Sequence, residues 1–141
     1  MNAVGAIRKI ILDDATTVAM LFNSTSVYPT VLPQEKQYPA VVLMLKAVRP
    51  NDSKTQVSGI DNVQIASHVY AKTYNQVQQI SDSIRACIDG FEGGVTTSDS
   101  AVHYFDSVRY LTEQDGFDEE NVLFVRETMY DVRYKRDVPP M

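Results

Sequence analysis

Val4, Ile7, Ile10 and Ile11 recur at helical spacing while Arg8, Lys9 and Asp13 fall on another face, so the N-terminal segment reads as an amphipathic helix. Asp13 and Asp14 interrupt it. Asp14 is placed to cap a second short helix carrying Val18, Leu21 and Phe22, since an Asp side chain accepts bonds from free N–H groups of a first turn; Asn23 and Ser24 then end it. Pro29, Pro33 and Pro39 fix φ and remove donors, which predicts an extended loop from Val27 to Pro39. The character then changes. Ala40 to Val48 holds Val41, Val42, Leu43, Met44 and Leu45, apolar at both parities, as in a strand covered on both faces.

Asn51 to Gly59 is polar and rich in turn formers, the pattern of a long hairpin loop. Val63 to Tyr70 follows as a strand, Val63, Ile65 and Val69 on one face and His68 and Tyr70 on the other, pairing antiparallel with the first. Thr73 and Gln76 have capping-box spacing, and Gly90 stands where a left-handed stop belongs. The helix between them carries a stripe of Tyr74, Val77, Ile80, Ile84, Cys87, Ile88 and Phe91. Glu92 to Ser100 reads as a loop. Val102, Tyr104, Val108 and Tyr110 share one parity and mark a third strand; Val122, Phe124, Tyr130, Val132 and Tyr134 mark a fourth, with a bulge or change of partner expected around Arg126 and Thr128. Gln114 to Glu120 joins these two as an acidic turn, and Asp137 to Met141 reads as a frayed end. The expected fold is α+β: a single domain over residues 1–141, a four-stranded antiparallel sheet with helices packed on one face.

Composition narrows the functional classes. At 141 residues, 44% apolar and 22% charged, the chain can bury one ordinary core. The longest apolar run, Ala40 to Leu45, is far short of the about 18 residues a spanning helix needs, which argues against a membrane protein. Arg8 and Lys9 lie inside the N-terminal apolar pattern and no small-residue cleavage site follows, which argues against export. Cys87 is the single cysteine, so an internal disulfide is excluded and a reducing compartment fits. A net charge of −5 opposes specific nucleic-acid binding, whose affinity comes largely from clustered Lys and Arg.

Groups that could do chemistry are scarce. His68 and His103 sit inside strand patterns with no His or Cys at ligand spacing. Cys87 lies on an apolar stripe, far from the helix N-terminus that would lower its pKa. Asp115, Asp118, Glu119 and Glu120 form the densest acid cluster but lack the alternating oxygen ligands of a calcium loop, and Gly93-Gly94 lacks the other residues of a phosphate cradle. No catalytic, cofactor-binding or metal-binding residue is nominated, and no cofactor is expected.

Read in order, four passages resemble the tail-completion family of long-tailed bacteriophages, which includes their tail terminator proteins. They are Val27-Tyr28-Pro29 through Pro33 to Tyr38-Pro39; Val63-Gln64-Ile65; Ala71-Lys72-Thr73-Tyr74 leading to Ile84-Arg85-Ala86-Cys87-Ile88-Asp89-Gly90; and the Tyr-rich Met129 to Tyr134. The resemblance implies a non-catalytic virion protein, assembled in the host cytoplasm, that forms a ring of typically six copies at the head-proximal end of the tail. Its implied partners are further copies of itself, the major tail tube protein and the head–tail connector, with DNA passing through the ring without specific binding. For such a ring the expected contacts are Asn51, Asp52, Ser53, Lys54, Thr55 and Gln56 in the polar loop and Met129, Tyr130 and Tyr134 on a strand edge. Asp115, Asp118, Glu119 and Glu120 are the expected lumen residues, with Glu92, Asp99 and Asp106 as equal alternatives. A head-completion adaptor on the connector is the nearest alternative, and a small α+β hydrolase or ligand-binding domain a more distant one.

Overall fold

The computed structural model describes residues 2–23, 25–31, 37–50 and 59–135. Asn2 accepts a bond from the Gly5 amide at 2.9 Å and so starts α1 (Ala3–Leu12), which buries Ala3, Ala6, Ile7 and Ile11. Asp14 occupies the N-cap of α2 (Ala15–Met20), but its carboxylate takes the Thr17 hydroxyl and no backbone N–H. Thr17 also lies 2.6 Å from the Ser83 hydroxyl, which ties α2 to α3 (Tyr74–Ile88). The Thr73 hydroxyl accepts the Gln76 N–H at 3.2 Å and opens α3, which is the Thr73 half of the expected capping box. Gly90, at φ 82°, follows the end of α3 in the region that favours glycine.

The sheet corrects the expected fold class. It is mixed and has six strands in the order β1-β2-β3-β6-β5-β4. The strands are β1 (Val27–Pro29), β2 (Ala40–Pro50), β3 (Ile60–Ala71), β4 (Gly93–Thr96), β5 (Val102–Asp118) and β6 (Leu123–Lys135). β1 runs parallel to β2 and every other neighbouring pair is antiparallel. Two strands were missed because they are three and four residues long and too short to show a period. β1 forms within the proline-rich stretch because its residues 27–29 need bonds on one side alone, which an edge position allows. β4 lies in the stretch expected to be a loop.

β5 also departs from its expected parity. Register against β6 skips Asp106 and Leu111, so each is an inserted bulge residue. The first insertion switches faces: His103 and Phe105 are buried with Val108, while Val102 and Tyr104, expected to share its face, are 46% and 53% exposed. The strand then continues through Gln114–Asp118, which were expected to be the turn; residues 119–122 make it instead. β6 pairs with β3 without interruption from Phe124 to Lys135, so the bulge expected at Arg126 and Thr128 is on the neighbouring strand.

Ile7, Ile11, Val41, Leu43, Val63, Ile65, Val69, Val77, Ile80, Ile84, Ile88, Val108, Tyr130 and Val132 form one core that joins α1 and α3 to the sheet. Each large side chain buried there contributes about 1.5–3 kcal/mol through the water it sheds.

Candidate assembly interface

The two groups of expected contact residues separate. Asn51, Asp52, Ser53, Lys54, Thr55 and Gln56 fall outside the described residues. The expected strand edge from Met129 to Tyr134 is not an edge, because β6 is paired with β3 on one side and β5 on the other. Met129 is half-buried there. Tyr130 is 1% exposed and packs edge-on against Tyr110, with ring centroids 6.2 Å apart. The Tyr134 hydroxyl lies 2.7 Å from His103 Nδ1, beneath Phe105. The alternation of Tyr130 and Tyr134, expected on a strand edge, is that of a core strand.

The acidic residues gather on one structure, the arm made by the far half of β5 and the start of β6. The Arg126 guanidinium, 6% exposed, donates to Asp115 Oδ1 at 2.7 Å and to the Tyr74 hydroxyl at 2.8 Å, and it stands 3.9 Å from Glu113. Hydrogen bonding from Arg126 holds the Asp115 carboxyl below its ordinary value, aided by the Tyr74 hydroxyl. This clamp fastens the arm to the first turn of α3. At the tip, Asp118 accepts the Glu120 and Asn121 N–H groups, closing the turn, and Glu119 and Glu120 are exposed. Val122 takes φ 54° there, a strained value for a β-branched residue.

The remaining reactive groups have structural partners. His68 Nε2 lies 2.6 Å from Glu127, and Cys87 donates to the Ile84 carbonyl. Burial pushes the Cys87 thiol up to about 11, with the Asp14 charge adding to it. Among the described residues no group of three or more His, Cys, Asp or Glu side chains is placed to hold a metal ion.

Two strand edges are open instead. β1 covers β2 as far as Leu43, and among the described residues no strand pairs with Met44–Pro50 on that side. β4 covers β5 as far as Phe105, and the Asp89–Gly90 turn covers Val108 and Tyr110; among the described residues no strand pairs with Leu111–Asp118 on that side. Apolar side chains stand on both: Leu45 and Val48 on one, Leu111 and Phe117 on the other, each more than two-fifths exposed. The first open stretch contains Lys46 and Arg49 and no acid; the second contains Glu113, Asp115 and Asp118 and no base. Lys46, Arg49 and Glu113 were not singled out from sequence. The signal was the sudden end of the apolar run at Leu45 inside a strand that continues.

No family model and no curated protein matches the chain. Among solved structures it is similar to a chain of the structure titled "Virion of native gene transfer agent (GTA) particle", with a TM-score of 0.68 over 92% of each chain and 16% identity. At that identity the likeness is one of fold.

Proposed function

We propose that this chain is a non-catalytic structural component of a phage-like virion, the terminator ring that ends growth of the tail tube and joins tail to head. The observation that carries this reading is the fold shared with a virion chain along nearly the whole length of both. The order of motifs points to the tail rather than to another part of the particle. Open edges on opposite sides of the sheet suit a head-to-tail ring, which needs two unlike patches on each copy. The partners of the ring, six copies by the family pattern, are the tail tube on one face and the connector on the other, at the head–tail junction. Glu119 and Glu120 at the arm tip, with Asp118, are suited to a lumen through which DNA slides, because carboxylates repel its phosphates.

The test is native mass across a concentration series, with negative-stain images, in the presence and absence of tail tubes. The expected outcome is a closed ring that caps the tube and stops its extension. Binding to the connector with no effect on tube length would assign the chain to head completion instead.

A further inference from the structure

The two open edges differ in ways that select a partner. Long exposed edges invite pairing with any strand, and charged side chains ordinarily guard them. Here the charged residues of each stretch are of a single sign, and Arg126 of β6 offsets one of the three acids on β5. Lys46 and Arg49 on β2 would face their own kind if two β2 edges met, and Glu113, Asp115 and Asp118 would do the same between two β5 edges. Pairing β2 with β5 brings opposite charges together, and like-charge repulsion disfavours both alternatives.

Strand direction agrees. Following the pairings across the sheet, β2 is antiparallel to β3, β3 to β6 and β6 to β5, so β2 and β5 of one copy run in opposite directions. A second copy set beside the first in the same orientation would therefore offer its β2 antiparallel to the first copy's β5. The lengths also match: seven residues from Met44 to Pro50 and eight from Leu111 to Asp118. Leu45, Val48, Leu111 and Phe117 supply apolar surface that such pairing would cover.

We infer that copies of this chain join by strand addition, the Met44–Pro50 edge of one copy pairing antiparallel with the Leu111–Asp118 edge of the next. This inference rests on the ring reading and specifies its contact. Successive copies then share one extended sheet, and every copy uses both edges.

A charge swap tests it with exposed residues outside the Arg126 clamp. Lys46→Glu with Arg49→Glu is expected to weaken self-association at least about tenfold, with thermal unfolding checked to show an intact fold. As a second measurement, a Cys87→Ser chain carrying Leu45→Cys and Phe117→Cys, which face each other in this pairing, is expected to oxidise into a ladder of covalent oligomers, while chains with one of the two new cysteines stay single. Rings whose assembly ignores the reversal, or whose single-cysteine chains dimerise like with like, overturn the strand pairing and leave the ring reading standing. A wild-type chain that stays monomeric in solution and on tail tubes overturns both.

Discussion

Tyr130 and Tyr134 lie four positions apart on the same face of β6 and differ in one atom's surroundings. The Tyr134 hydroxyl meets His103 Nδ1, whereas the Tyr130 hydroxyl is buried without a hydrogen-bond partner among the described residues, and burial raises its pKa. Opposite consequences of removing each hydroxyl follow. Tyr130→Phe should leave stability unchanged or raise it by about 1 kcal/mol, because an unpaired polar group leaves the core. Tyr134→Phe should cost about 1–3 kcal/mol by orphaning His103. Chemical denaturation of the two variants measures both; a destabilised Tyr130→Phe would mean that hydroxyl has a partner. The tyrosine alternation was visible in the sequence, and its meaning was not. Surface and core strands alternate alike, and the partner that decides for Tyr134 lies 31 residues away, brought near by strand register.

The β5–β6 arm is the element whose position depends most on charge. Its Asp115 carboxyl is held below the ordinary 3.8 by Arg126, so the stabilisation is fully present above that value and is lost as pH falls through the depressed one. Amide exchange across Leu111–Asp118, taken relative to its intrinsic rate at each pH, should therefore quicken as pH falls below the ordinary 3.8 while α3 and β3 stay protected. Asp115→Asn should show the quicker exchange already at neutral pH. Uniform exchange across arm and core at low pH would mean that global unfolding comes first. Elements with a strong local signature were legible: α3 has its cap, stripe and glycine stop in one continuous segment, and β3 its clean alternation. The arm was not, because two bulges reset the parity of β5 and its far half is exposed on both faces, which reads as a polar turn.

For the whole molecule, residue counting predicted one core and a sheet fed by two hairpins, and that much is present. The sheet's true extent was hidden in pairings between short segments and partners far along the chain, as with Val27 and Val41. The open edges could not be inferred without them, since an edge is defined by what fails to pair. Assembly through those edges, as proposed, would be sensitive to salt because their charges are opposite. Raising ionic strength from about 0.05 to 0.5 M should shift the native mass toward monomer, because exposed charges are screened over a few ångströms at the upper end. An unchanged distribution would mean that apolar contact alone holds the copies.

The two open edges lie at opposite corners of the sheet. Ala47, central to one, shares a row with Gln64, Asp131 and Arg109, about five positions short of the middle of the other, which is roughly 16 Å along a strand. Copies joined with their strands upright would each climb by that amount, giving a spiral staircase and not a circle. Closure therefore demands strands inclined to the axis, as staves are in a sheared barrel, and the inclination that cancels the climb sets how many copies fit. A slip of two residues in the junction would leave the turn unclosed, and the same chain would grow as a filament without end.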